Sequence, residues 1–244
     1  MSVLQLDIGN TALKWRLRAQ GRTMQQGCLL TRNINPETLQ QELPKGIQHV
    51  ACANVAGNQI QNWICKWAVQ QEAPCFIAHS QSHFGDLVNS YAEPHRMGVD
   101  RWLAMVGARQ RSHHPLCVVD CGSAVTLDYI ATSGHHLGGY ILPGSRLMME
   151  SLIRHTCNIV MDPACPADAI TPGKDTQQSV SHGVKRLLHQ GLQAILQTAI
   201  AEGFELQLTG GEGHVLADTM QQDYFADLVL EGLELVQRNM VGNN

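Results

Sequence analysis

Two short stretches of this chain carry the same pattern, and that repeat constrains the fold more than any other feature. Val3-Leu4-Gln5-Leu6-Asp7-Ile8-Gly9-Asn10-Thr11 and Leu116-Cys117-Val118-Val119-Asp120-Cys121-Gly122-Ser123-Ala124 each run from an apolar segment into Asp-x-Gly and then a small polar residue. An apolar run of that length reads as a buried strand, and the glycine after the Asp opens backbone angles for a tight turn. The two Asp residues stand 120 − 7 = 113 positions apart, almost half of the 244 residues. A period that long is no solenoid; it points to two related domains, each opening with one strand–turn unit. Asp-x-Gly turns are common, so a single copy would carry little, and the second copy carries the argument.

The remainder alternates between the two helical and strand periods, which predicts an α/β chain. A helix is expected over Asp100–Arg111, with Leu103, Val106 and Gly107 on one face. The clearest helical period runs from His182 to Glu202 and stops at Gly203. Phe204–Leu208 reads as a strand leading into Thr209-Gly210-Gly211, and a last amphipathic helix is expected from about Tyr224 to Arg238. Cys157–Asp175, rich in Pro and polar residues, reads as a long loop of the kind that often carries function.

Composition narrows the partners. Lys and Arg total 17 against 21 Asp and Glu, a net charge of −4, and the basic residues are scattered, which argues against nucleic acid as a partner. No apolar run reaches the ~18 residues of a membrane span, and the first residues lack a basic lead and meet Asp7 early, so neither a membrane nor a signal peptide is expected. These features point to the cytoplasm. The 8 cysteines form no C-x-x-C pair and several lie in apolar runs, so free and mostly buried thiols are expected rather than a zinc site. The pairs His113-His114 and His135-His136 lie beside Pro or Gly and read as loops.

Three segments carry groups suited to chemistry. Asp7-Ile8-Gly9-Asn10-Thr11-Ala12-Leu13-Lys14 puts backbone N–H groups, polar side chains and a Lys around one turn, a cradle for phosphate oxygens in which Asp7 could hold Mg²⁺ directly or through water. A plain hairpin with a solvated Lys accounts for the same residues, and the chain holds neither a P-loop nor a dinucleotide fingerprint. Around Gly122, Asp120, Ser123 and Thr126 offer a second set of oxygens, and Asp120 could equally cap its own turn. In Gly98-Val99-Asp100-Arg101, a helix start with an Arg can take an anion, while an adjacent Asp can orient a hydroxyl; an ordinary helix cap reads the same way. The glycine pairs in Gly138-Gly139-Tyr140-Ile141-Leu142-Pro143-Gly144 and Thr209-Gly210-Gly211-Glu212-Gly213 serve either ligand approach or turns.

Taken in order, D-x-G-N-T, G-x-D-R, D-x-G-S-A-x-T, G-G-x-I-x-P-G and T-G-G, this chain resembles the type III pantothenate kinases over nearly its whole length. The resemblance implies two duplicated ribonuclease-H-like domains, residues 1–114 and 115–244, with a nucleotide cleft between them, and a homodimer. It implies ATP phosphates held by Asp7, Ile8, Gly9, Asn10, Thr11, Ala12, Leu13 and Lys14, with Ser123 also on ATP. Pantothenate would be bound by Tyr91, Gly98, Val99, Asp100, Arg101 and Thr176, the last reached across the dimer. Asp100 would accept the hydroxyl proton, and Asp120 would bind a monovalent cation, K⁺ or NH₄⁺, beside ATP with Mg²⁺. Ser123 departs from the Thr usual in the family but keeps the hydroxyl. Two other functions fit the same pattern: a transcriptional accessory regulator on this fold, and a kinase of the wider acetate-kinase, sugar-kinase and actin superfamily with another small hydroxy acid as acceptor.

Overall fold

The computed structural model describes residues 2–162 and 169–242, which form two compact units. One takes Met1–His113, Ser133–His136 and Asp227–Asn244; the other takes His114–Thr132 and Leu137–Ala226.

The first unit holds β1 (Ser2–Ile8), β2 (Ala12–Ala19), β3 (Arg22–Leu30), α1 (Pro36–Glu42), β4 (His49–Asn54), α2 (Asn58–Gln70), β5 (Cys75–Ile77), the short β6 (His83–Phe84) and β7 (Leu87–Val88), and α3 (Val99–Arg111). Its main sheet runs β3-β2-β1-β4-β5, with β1 antiparallel to β2 and parallel to β4. Alternation along β1 decides the layers. Leu4, Leu6 and Ile8 are fully buried against a cluster with Leu39 of α1 and Ile60, Ile64 and Trp67 of α2. The opposite face carries Gln5 and Asp7, which pair across the sheet with Arg16 and Lys14. Asn35 starts α1 by accepting the Thr38 N–H at 2.8 Å, with Pro36 at the first helical position.

The second unit holds β8 (Leu116–Cys121), β9 (Ala124–Ile130), most of β10 (His136–Pro143), α4 (Ser145–His155), α5 (Thr176–Ala201), β11 (Glu205–Thr209) and α6 (Gly213–Met220). Its sheet runs β10-β9-β8-β11, with β8 antiparallel to β9 and parallel to β11. This is the β3-β2-β1-β4 order of the first unit, with β8 related to β9 and β11 as β1 is to β2 and β4, and each unit begins with one of the two Asp-x-Gly segments. Cys117, Val119 and Cys121 of β8 face a core with Leu192, Leu196 and Ala199 of α5.

The chain then returns to the first unit with α7 (Leu228–Gly242), so a single cut after residue 114 misplaces the last helix. The cause is α3, which α7 crosses at glycine contacts. A β-carbon on Gly107 would lie 2.5 Å from the Leu228 carbonyl oxygen, and one on Gly232 would fall on that of Leu103. On the sheet side, Arg16 of β2 reaches Asp227 at 3.0 Å and Glu234 at 3.2 Å, and Arg18 reaches Glu234 at 3.3 Å.

Several expected boundaries shift for local reasons. The long helix begins at Thr176, not His182, because Asp175 caps it by accepting the Gln178 N–H at 2.7 Å and its first turn is too polar to show a period. The last helix begins at Leu228, not Tyr224, because the Phe225 N–H donates to Leu208 and Tyr224 bridges the end of β11. The expected loop from Cys157 contains no helix or strand among its described residues. Cys52, Cys117 and Cys121 are buried, Cys65 and Cys75 half-buried, and Cys28, on edge strand β3, and Cys157 exposed; all seven are free thiols, so "mostly buried" overstates the case, and Cys165 lies outside the described residues. Among the described residues no helix is long and apolar enough to cross a membrane.

The glycine crossing gives a test with a sign. Gly→Ala in an open helix ordinarily stabilises by about 0.5–1 kcal/mol, and Gly191 of α5, with no atom near its missing β-carbon, should behave so. Gly232→Ala should instead destabilise by about 1–3 kcal/mol, because backbone must move to admit the methyl. Urea unfolding of the two variants measures both; equal signs would show that α3 and α7 do not need the close approach.

Candidate active site

The first Asp-x-Gly segment is the hairpin between β1 and β2. Asp7 pairs directly with Lys14, so their side chains share the sheet face away from the apolar core. Lys14, Arg16 and Arg18 form one basic row on that face. Arg16 and Arg18 are neutralised by Asp227, just before α7, and Glu234 of α7, whereas Lys14, next to the turn, makes no ion pair among the described residues. The turn is tied back by Thr31: its N–H donates to the Thr11 carbonyl at 2.9 Å and its hydroxyl to the Gly9 carbonyl at 2.7 Å. The Gly9 N–H bonds Ala12, and Asn10 and Thr11 are exposed. With two carbonyl oxygens drawn inward and a cation beside the turn, the hairpin favours an anion. Nothing in the local pattern announces Thr31, 20 residues beyond Thr11 (31 − 11).

A second group lies in the same unit at the start of α3. Gly98 is the cap residue, with no side-chain cap bond, so Asp100 does not serve as an ordinary helix cap. Its Oδ1 accepts the Arg101 N–H at 2.8 Å and folds over Gly98, where a β-carbon would come within 2.5 Å of it. Arg101 is 6% exposed; its Nη1 donates to the Tyr91 hydroxyl at 2.9 Å, with the guanidinium carbon 5.8 Å from that ring's centre. Val99 is buried beneath them. Tyr91, Gly98, Val99, Asp100 and Arg101, predicted from sequence, are thus brought together. Two neighbours went unread: Ser90 and His136, whose ring lies 6.3 Å from that of Tyr91. His136 was expected in a loop and is instead a buried strand residue.

In the second unit, Asp120 pairs across the β8–β9 hairpin with Thr126, and Ser123 sits in the turn, closed by the Gly122 N–H on Ala124 at 3.1 Å. Two glycines make room here. Gly210, at φ +89, places its missing β-carbon on the Asp120 carboxylate, and a β-carbon on Gly144 would lie 2.7 Å from the carbonyl oxygens of Gly122 and Ser123. The T-G-G and P-G motifs therefore shape the Asp120–Ser123 turn. Burial first, then the Asp120 and Glu212 charges, push the Cys121 thiol up to about 12, so it stays a neutral packing group. Burial likewise raises Cys52, beside Asp7. A cavity of about 290 Å³ opens next to this turn, with Val125, Met149 and Leu192 as apolar walls and Ser145, Lys185 and Glu212 as polar groups. Ser145 donates to Glu212 at 3.1 Å. Thr176 is exposed in the first turn of α5 and makes no hydrogen bond to Asp120 or Ser123.

A family model for type III pantothenate kinase matches residues 3–198. The chain is 33% identical to the type III pantothenate kinase of Hahella chejuensis over 237 residues, 97% of each chain, and 32% identical to that of Cellvibrio japonicus over 251 residues, 99% of each. Among solved structures it resembles a Baf family protein from Campylobacter jejuni at TM-score 0.60 and 21% identity, covering 98% of this chain and 99% of that one. It also resembles a Sinorhizobium meliloti protein described as a 2-dehydro-3-deoxygalactonokinase, at TM-score 0.59 and 13% identity, covering 98% and 96%. These two likenesses establish a sugar-kinase-like α/β fold. The match over residues 3–198 and the full-length relatives settle membership: this chain belongs to the type III pantothenate kinase family.

Proposed function

We propose that this protein transfers the γ-phosphoryl group of ATP to the primary hydroxyl of pantothenate, the first step of coenzyme A biosynthesis, in the cytoplasm and as a homodimer. The observation that carries the reading is the Lys14 end of the basic row. A cation without an ion pair among the described residues, beside a turn whose carbonyls Thr31 draws away, is what a triphosphate requires.

Asp7 to Lys14 would hold the phosphates, and Asp7 would be the residue to hold Mg²⁺. Ser123 contacts ATP, and the cavity beside its turn takes the base end. Asp120 binds a monovalent cation, K⁺ or NH₄⁺, in a setting of carboxylate and hydroxyl oxygens. Tyr91 and Gly98–Arg101 form the pantothenate site, with the Arg101 guanidinium on the substrate carboxylate. Thr176 completes that site in the partner subunit. The shared strand order of the two units supports one duplicated ribonuclease-H-like domain.

ATP with Mg²⁺ supplies an activated phosphoryl group and most of the charge neutralisation. The rest is positioning, as phosphoryl transfer demands little covalent chemistry from the protein. Arg101 fixes one end of the acceptor, so its hydroxyl meets the γ-phosphorus in line. Asp100 orients that hydroxyl and takes its proton as the new P–O bond forms. The bond from the γ-phosphorus to the bridging oxygen breaks, and its electron pair leaves with ADP. Asp100 sits in the first turn of α3, its carboxylate turned by the bond to the Arg101 N–H. The Baf family likeness, at 21% identity, concerns the fold, and the net acidic charge and scattered basic residues argue against direct DNA contact by a regulator.

A coupled ADP-release assay with ATP, Mg²⁺ and pantothenate, run in potassium and in sodium, should show pantothenate-dependent turnover that potassium supports and sodium alone does not. No turnover from folded protein would move the assignment to another acceptor or to a regulator. Asp100→Asn should keep the fold and lower kcat by roughly 10²-fold; wild-type turnover would remove Asp100 from the mechanism. Thr31→Val should raise KM for ATP about tenfold, through the loss of one hydrogen bond of about 1 kcal/mol and a looser turn, and leave KM for pantothenate alone. Equal changes in both would show that Thr31 supports the unit as a whole.

A further inference from the structure

The second of the paired histidines ends up where substrate chemistry is organised. His135 bridges Val88, and the Val88 N–H donates to the Gly134 carbonyl at 2.9 Å. Gly134, at φ +83, leaves no room for a β-carbon against Asp86. This short return of the chain is therefore fixed in place, and it delivers His136, 3% exposed, beside the acceptor site.

His136 Nδ1 and Ser90 Oγ share a hydrogen bond of 2.8 Å. The His136 ring lies 6.3 Å from the Tyr91 ring with planes 29° apart. Tyr91 accepts the Arg101 Nη1 proton, so the line Ser90–His136–Tyr91–Arg101 is continuous. An Arg side chain has several rotatable bonds, and its fork selects a carboxylate only while its direction is held. Tyr91 provides that hold but is itself half-buried and lies outside any helix or strand, between β7 and the 3-10 turn at Pro94–Arg96. The ring stacked against it is that of His136, whose Nδ1 is hydrogen-bonded to Ser90.

We infer that His136, oriented by Ser90, is a positioning residue for the acceptor: it backs Tyr91 and thereby aims Arg101 at the carboxylate of the hydroxy acid. This rests on the reading of the site as the pantothenate site.

The test compares two acceptors in the full-length protein: pantothenate and its analogue with CH₂OH in place of the carboxylate. In His136→Ala, kcat/KM for pantothenate should fall about tenfold, mainly through KM, and the preference for pantothenate over the alcohol should shrink by the same factor. KM for ATP should stay within about twofold. Ser90→Ala should shrink the preference too, and His136→Asn, which keeps a hydrogen-bonding group near Nδ1, should restore part of it. A purely structural role would slow both acceptors together and leave their ratio unchanged. That outcome, or wild-type kinetics in folded His136→Ala, overturns the inference. If His136→Ala does not fold, Ser90→Ala decides by the same ratio. A wild-type protein without pantothenate turnover would instead sink the functional reading, and this inference with it.

Discussion

Arg16 is the interaction on which the first unit depends. It is buried on β2, with its Nε on Gln5 at 2.6 Å and its terminal nitrogens on Asp227 and Glu234. A buried guanidinium is tolerated only when its N–H groups are satisfied, and removing one partner of such a pair typically costs about 3–5 kcal/mol. Its acidic partners come from a segment more than 200 residues away in sequence. The pairing therefore pins α7 to the sheet. It also consumes two of the three cations in the basic row, so positive charge is left at the Lys14 end, beside the turn.

From α7 the constraint passes to α3. The crossing at Gly107 and Gly232 brings backbone against backbone, which fixes α3 along its axis more tightly than side-chain packing would. Nearly every residue of α3 from Val99 to Ala108 is buried, so the helix has little freedom to shift or turn. Arg109, also buried, is held at 2.7 Å by Asp86, whose carboxyl it lowers from its ordinary range chiefly through that hydrogen bond. The first turn of α3 carries Asp100 and Arg101. The precision of that turn is thus set by contacts at the other end of the helix.

The Asp-x-Gly hairpins, the α3 segment and the α/β class were legible because each rests on local rules: strand period, turn glycines, helix starts. What was not legible rests on contacts between distant residues. Thr31 is an ordinary Thr until the hairpin folds back on it. His136 follows Gly134 and looked like part of a turn, since nothing nearby reveals that Ser90 and Tyr91 await it. The return of α7 to the first unit needs the match of Arg16 with Asp227 and Glu234, which no local period records. The glycines were seen as turn formers, but Gly210 and Gly232 are there for what lies against them: a carboxylate in one case and a carbonyl in the other.

The two hairpins look alike in sequence and differ in charge once register is known. Opposite Asp7 stands Lys14; opposite Asp120 stands Thr126. The first hairpin is also longer by one residue, with Gly9–Ala12 between its last strand pair against Gly122–Ala124 in the second. Lys14 stands across from Asp7 without an ion pair among the described residues, so its positive charge and the turn amides remain together on the side that attracts phosphate. A carboxylate facing a hydroxyl, with Glu212 near enough to act with it on the Cys121 thiol, sits among oxygen donors, the environment a hard cation prefers. The cross-strand partner, Lys in one hairpin and Thr in the other, is therefore what gives two turns of like sequence a different charge.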